Sequence, residues 1–249
     1  MSNKSFTVID RFSETPFPDR DIQNYPGGLV IPLDKPYKWS SADAVRKIKF
    51  RAVKFFGLKN LKVGHAGTLD PLATGLLLIC IGSATKRAGE LQEGIKEYIA
   101  GITFGYTTPS FDLEKDKDAD YPYSHINQEL IEETLKQFTG LQQQIPPSFS
   151  AKMVNGQRSY MLAREGDHRE LTPSLITIHE LEIISFASPL LLLRVLCSKG
   201  TYIRSLARDL GTALNSGATL TSLTRTRSGD FTVSQSISIE KTEEIFSLK

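Results

Sequence analysis

The run Gly64-His65-Ala66-Gly67-Thr68-Leu69-Asp70-Pro71-Leu72-Ala73-Thr74-Gly75 surrounds a single carboxylate with residues suited to holding it still. Its glycines admit positive φ or close approach of another backbone. Pro71 removes a donor, fixes its own φ and biases Asp70 away from the right-handed helical region. Asp70 is expected at the lip of a rigid turn, with Pro71 opening a helical turn behind it. A carboxylate held there can act as a nucleophile or as a base. An Asp before Pro also suits a helix N-cap, and local chemistry alone leaves both readings open.

Other side chains carry chemistry at a distance along the chain. Tyr98 lies in Lys96-Glu97-Tyr98, on one side of an alternating stretch with Ala100, Ile102 and Phe104. That pattern suits core packing, with the ring buried and the hydroxyl bonded. Arg204 closes Cys197-Ser198-Lys199-Gly200-Thr201-Tyr202-Ile203-Arg204. In a desolvated cleft a guanidinium keeps a carboxylate ionised and directs it through paired donors. A phosphate or surface contact is the alternative. His65, His125, His168 and His179 show no ligand spacing with each other or with the cysteines, so no metal is expected. No GxxxxGK[ST] loop is present, and no nucleotide cofactor is implied.

The elements that must position these groups follow from periodicity. Residues 28–34 read as a strand. Ser40-Ser41-Ala42-Asp43 offers a capping-box start for a helix with Val45, Ile48, Ala52, Phe55 and Phe56 on one face, ending at Gly57. Residues 76–81 read as a buried strand and 96–106 as an alternating one. A helix is expected over 127–138, capped by Asn127 and closed by Gly140. Strands at 175–186 and 190–198 turn at Ser188-Pro189, and 202–214 has helical spacing of Leu206, Leu210 and Leu214. Helices and strands without strict βαβ alternation predict an α+β fold with a largely antiparallel sheet.

With 249 residues the chain can bury a sizeable core. Cys80 and Cys197 each sit beside apolar strand-like residues, as reduced buried thiols of a cytoplasmic protein do. The N-terminus lacks an apolar signal core, and the longest apolar stretch, 190–197, is interrupted by Arg194 and too short to span a bilayer. No membrane association is expected. The net charge of +2 hides segregation: residues 34–62 carry nine Lys or Arg against two Asp, and 194–227 carry six against one. Both basic segments adjoin the motifs above, as a phosphate-backbone footprint would. The acidic stretch 112–133 reads as a solvated face.

The Gly64–Gly75 string resembles the catalytic motif of the TruB family of pseudouridine synthases. Leu33-Asp34-Lys35-Pro36, the segment 76–86 and Cys197–Arg204 resemble that family too, in the same order from about Gly28 to Asp230. The resemblance implies the pseudouridine synthase fold, a mixed, mainly antiparallel curved sheet flanked by helices around a central cleft. Residues 28–249 would form the catalytic domain, residues 1–27 an extension of unknown role. Only 22 residues follow Arg227, too few for a C-terminal RNA-binding module of the PUA type.

The implied activity isomerises uridine to pseudouridine at position 55 in the T-loop of tRNA, without metal or cofactor. Asp70 is then the essential carboxylate, and the target base must be flipped out to meet it. Tyr98 would stack on the flipped uracil, Arg204 would orient Asp70, and Tyr202 and Leu223 would wall the pocket. His65 would enter the RNA loop and fill the space left behind; Lys35 and Lys199 would support the site. The segment from Pro146-Pro147 to Ala163-Arg164-Glu165-Gly166 would contribute RNA-facing loops. The family commonly has glycine where Lys38 stands, which puts that turn in question. A cleft that opens the T-loop would also assist tRNA folding. A branch of the family works with guide RNAs and partner proteins, but Leu72-Ala73-Thr74-Gly75 resembles the stand-alone bacterial form. A monomer with no obligate protein partner is expected.

Overall fold

The computed structural model describes residues 5–13, 19–150, 153–154, 157–159 and 171–247. In chain order the elements are β1 (Thr7–Val8), β2 (Leu29–Lys35), α1 (Ser41–Phe56), β3 (Val63–Ala66), β4 (Ala73–Ile81), α2 (Ala88–Gln92), β5 (Lys96–Phe104), β6 (Tyr106–Thr107), β7 (Ala119–Asp120), α3 (Gln128–Lys136), β8 (Gly140–Gln144), β9 (Met153–Val154), β10 (Gln157–Arg158), β11 (Ser174–Ala187), β12 (Leu190–Cys197), α4 (Ile203–Ala213), β13 (Ala218–Ser228), β14 (Phe231–Thr232) and α5 (Ile239–Ile245). The architecture is the expected α+β, a large mixed sheet flanked by helices, with β1–β2 parallel and the neighbouring β2–β4 and β11–β12 pairs antiparallel. The chain forms two compact units, Met1–Lys96 with Thr224–Lys249, and Glu97–Leu223.

In the first unit β2 and β4 pair from Leu29↔Ile81 to Lys35↔Gly75. The other edge of β4 is divided. β3 pairs with its C-terminal end, Val63↔Ile81 to Ala66↔Leu78, while the Thr74 hydroxyl meets that of Thr224 on β13 at 2.9 Å. Residues 75–81 are all buried, so β4 reads as a continuous apolar run covered on both faces. Ser40 and Asp43 cap α1 reciprocally, and Gly57 ends it in the left-handed region at φ 66°. The helix buries Ala44, Ile48, Ala52, Phe55 and Phe56, and the two phenylalanines meet Phe246 beyond α5 at ring distances of 5.5 and 6.0 Å. Each such ring contributes about 1.5–3 kcal/mol of apolar burial.

In the second unit β11 and β12 form a long hairpin, from Ile178↔Cys197 to Ala187↔Leu190, with β8 on the far edge of β11. Tyr98, Ala100, Ile102 and Phe104 are buried on β5, as the alternation requires. Arg194 on β12 binds Glu97, Glu180 and Glu182 at 2.8–2.9 Å.

Three expectations change. Pro71 opens a single hydrogen-bonded turn and no helix: the Ala73 amide donates to the Asp70 carbonyl at 3.1 Å, and the chain enters β4 at Ala73. Gly140 starts β8 instead of closing α3. Within 1–27, expected as an extension outside the catalytic domain, β1 adds a parallel strand beside Leu29 and Val30, and Ile9 is fully buried. Residues 151–152, 155–156 and 160–166 of the expected RNA-facing loops, and His168, lie outside the described residues.

Candidate active site

Every backbone carbonyl from Gly67 to Pro71 is hydrogen-bonded. Arg225 Nη2 donates to Gly67 at 3.1 Å and its Nη1 to Thr68 at 3.4 Å. The Ser41 hydroxyl donates to the Leu69 carbonyl at 3.0 Å and accepts from the Leu69 amide at 2.9 Å. The Asp70 carbonyl takes the Ala73 amide, and Lys35 Nζ donates to Pro71 at 3.3 Å. Four elements, β2, α1, β4 and β13, therefore hold the turn that carries the half-buried Asp70. A carboxylate on so constrained a backbone loses little further freedom when it meets a reacting group.

Lys35 is fully buried, and its remaining donors go to the carbonyls of Trp39 at 2.6 Å and Pro36 at 3.1 Å. Burial pushes its pKa down to about 8; Asp70 pulls it upward and Arg225 pushes it further down. The turn that feeds it those carbonyls passes through Lys38 at φ +64°. Lys38 holds the left-handed backbone that favours glycine, at a cost of about 1–2 kcal/mol.

His65 sits on β3, and burial, reinforced by Arg225, lowers its pKa, so the ring is neutral near pH 7. Its Nδ1 is buried with no hydrogen-bond partner among the described residues.

In the second unit, Tyr202 immediately precedes α4 and is fixed through its backbone by Gln144. Its amide donates to Oε1 at 2.8 Å, and Nε2 donates to its carbonyl at 3.1 Å. Arg204, 4% exposed in the first turn of α4, donates to the carbonyls of Phe149 at 2.9 Å and Ser110 at 3.5 Å. Its Nε lies 3.6 Å from the buried Asp112 carboxylate. Tyr98 is buried on β5, Leu223 is buried on β13, and Lys199 is exposed in the turn after β12. Arg204 is thus an inward-facing guanidinium and no surface contact.

Of the expected site residues, the structure joins Lys35 and Asp70 through one turn, and sets Tyr202 and Arg204 at one helix start. Four contributors escaped the sequence reading: Ser41, Asp112, Gln144 and Arg225. Ser41 looked like part of a cap, Asp112 like part of an acidic face, and Arg225 like one of six cations in a basic segment. No local signal in the polar run 224–227, Thr-Arg-Thr-Arg, marks Arg225 as pointing inward. The footprint reading of 194–227 is corrected accordingly. Arg194, Arg204, Arg208 and Arg225 all bind protein groups.

Known proteins agree with the residue pattern. Residues 54–203 match the model of the TruB family pseudouridylate synthase N-terminal domain. A protein of Phocaeicola vulgatus named tRNA pseudouridine synthase B is 53% identical over 221 residues, 89% of this chain and 94% of its own length. One of the same name from Flavobacterium johnsoniae is 52% identical over 223 residues, 89% of this chain and 97% of its own. Among solved structures, one described as a Cbf5-Nop10-Gar1 complex superposes with TM-score 0.68 at 27% identity. The match covers 97% of this chain and 63% of that one, so the chain spans about three-fifths of its length. On these matches the chain belongs to the TruB family of pseudouridine synthases.

Proposed function

We propose that this protein isomerises uridine to pseudouridine at position 55 in the T-loop of tRNA, with Asp70 as the essential carboxylate. The observation that carries the reading is the fully anchored turn, whose five consecutive bonded carbonyls fix the backbone that carries one acidic side chain. Relatives of more than half identity named tRNA pseudouridine synthase B support the substrate.

The reaction breaks the bond from ribose C1′ to N1, turns the uracil in place and joins C1′ to C5; C5 loses a proton and N1 gains one. Asp70 serves as nucleophile or base in that sequence. The base must first leave the stack, at a cost of a few kcal/mol. His65, neutral through burial, enters the loop without carrying a charge into it. Tyr98 is the stacking platform, Tyr202 and Leu223 line the uracil, and Lys35 and Lys199 support the surroundings. Arg204 orients Asp70, with Asp112 and the Phe149 carbonyl fixing the guanidinium. The protein works as a cytoplasmic monomer, without guide RNA or partner protein.

The test is the purified protein alone with a T-stem-loop transcript, and the same transcript with cytidine at position 55. Pseudouridine in the first and none in the second is expected. Dependence on an added guide RNA, or modification of the cytidine transcript at another uridine, overturns the substrate reading.

A further inference from the structure

Arg225 is 1% exposed, yet its donors go to carbonyl oxygens: Leu76 at 2.8 Å from Nε, Gly67 at 3.1 Å and Thr68 at 3.4 Å. Among the described residues no carboxylate pairs with it. Burying a guanidinium without a counter-ion is expensive, and an apolar side chain of similar volume would pack there more favourably. A structural role alone therefore explains the residue poorly. Its place is specific: the chain leaves β3 at Ala66, carries Asp70 and returns as β4, and the guanidinium ties the departing strand end to Leu76 on the returning one.

Two motif glycines answer to the same residue. Gly75, at φ +90°, faces the Arg225 backbone so closely that a Cβ would stand 2.4 Å from its carbonyl oxygen. Gly67, at φ +87°, has the left-handed backbone that turns its own carbonyl to Nη2. The Gly67–Gly75 spacing is thus a consequence of wrapping the loop around one arginine.

We propose that Arg225 is a positioning residue of the isomerisation, its guanidinium fixing the Gly67 and Thr68 carbonyls against Leu76 and so setting the place of Asp70. The inference rests on the assignment of Asp70 made above. Neither Lys35 nor Ser41 substitutes for it, because both hold the turn at or beyond Leu69. An ammonium's three donors diverge from one nitrogen, whereas the planar fork spreads its donors over three fixed nitrogens, so Arg225→Lys keeps the charge and loses the geometry.

The experiment is single-turnover pseudouridine formation on a T-stem-loop, with RNA affinity measured in parallel, for Arg225→Lys, Gly67→Ala, the double variant and Asp70→Asn. Gly67→Ala leaves Arg225 intact and meets nothing nearer than 3.6 Å, so it tests the anchor even where the arginine variant fails to fold. Each single variant is expected to lose about 10–100-fold in rate, as misplacement of about 1 Å does, with RNA affinity within about threefold. The double variant should lose no more than the worse single one, since both remove one anchor. Losses that multiply, a wild-type rate in Gly67→Ala, or equal losses of rate and affinity overturn the proposal. Asp70→Asn separates the two claims. An active Asp70→Asn sinks the functional reading itself; an inactive one beside a wild-type Gly67→Ala sinks only the role of Arg225.

Discussion

Burial of Lys35 makes both the rate and the stability depend on pH, in opposite directions. Asp70, Asp34 and Asp43 favour its charge, Arg225 opposes it, and burial dominates, bringing it to about 8. Above that pH the amine is neutral and its hold on the Pro71, Trp39 and Pro36 carbonyls weakens, so the turnover rate is expected to fall through pH 8. Stability moves the other way. The folded pKa lies below the unfolded value of 10.5, so the cost of the buried charge is full below pH 8 and is relieved as pH rises from 8 towards 10.5. Lys35→Met should show a lower rate without the limb near pH 8; an unchanged limb in that variant would assign it elsewhere. At Lys38, substitution by glycine is expected to stabilise the protein by about 1 kcal/mol, read as a rise in thermal midpoint, because its φ of 64° is strained for lysine. The rigid turn that carries Asp70 was legible because its context is local in sequence. Arg225 and Asp112 were not, because their meaning lies in partners 149 residues (Leu76) and 92 residues (Arg204) away.

At the scale of elements, two helix starts are fixed by side chains that clamp a backbone unit in both directions. Ser41 does so for Leu69, and Gln144 for Tyr202. Ser41→Ala leaves the buried Leu69 amide unsatisfied and should cost about 1–3 kcal/mol, seen in denaturant midpoint, with a loss of rate. Periodicity and caps disclosed α1, β4, β5, α4 and the β11–β12 hairpin within a few residues. β13 went unread because its sequence, Ala-Thr-Leu-Thr-Ser-Leu-Thr-Arg-Thr-Arg-Ser, is polar by composition. Buried threonine and arginine satisfied by neighbouring strands look like solvent-facing residues until those strands are placed. After Pro71 the chain makes one hydrogen-bonded turn and goes on as β4 from Ala73 instead of continuing as a helix.

Across the whole molecule, net charge is a poor guide to the RNA-facing surface. The ion pairs of Arg194 with three glutamates remove it from phosphate binding, whereas Lys38, Lys49, Lys59 and Lys62 are exposed. RNA affinity should fall with salt, and Lys62→Ala should reduce the slope of log K against log salt by about 0.7–0.9 if that lysine meets a phosphate. Arg194→Ala should leave the slope unchanged. A slope lowered by Arg194→Ala would restore the broader footprint. The most direct test of the central claim is quantitative pseudouridine mapping in unmodified tRNA treated with the wild-type protein and with Asp70→Asn at equal RNA occupancy. Modification at uridine 55 by the wild type and none by the variant, with affinity retained, is expected. Pseudouridine formed at comparable rates by both would contradict it.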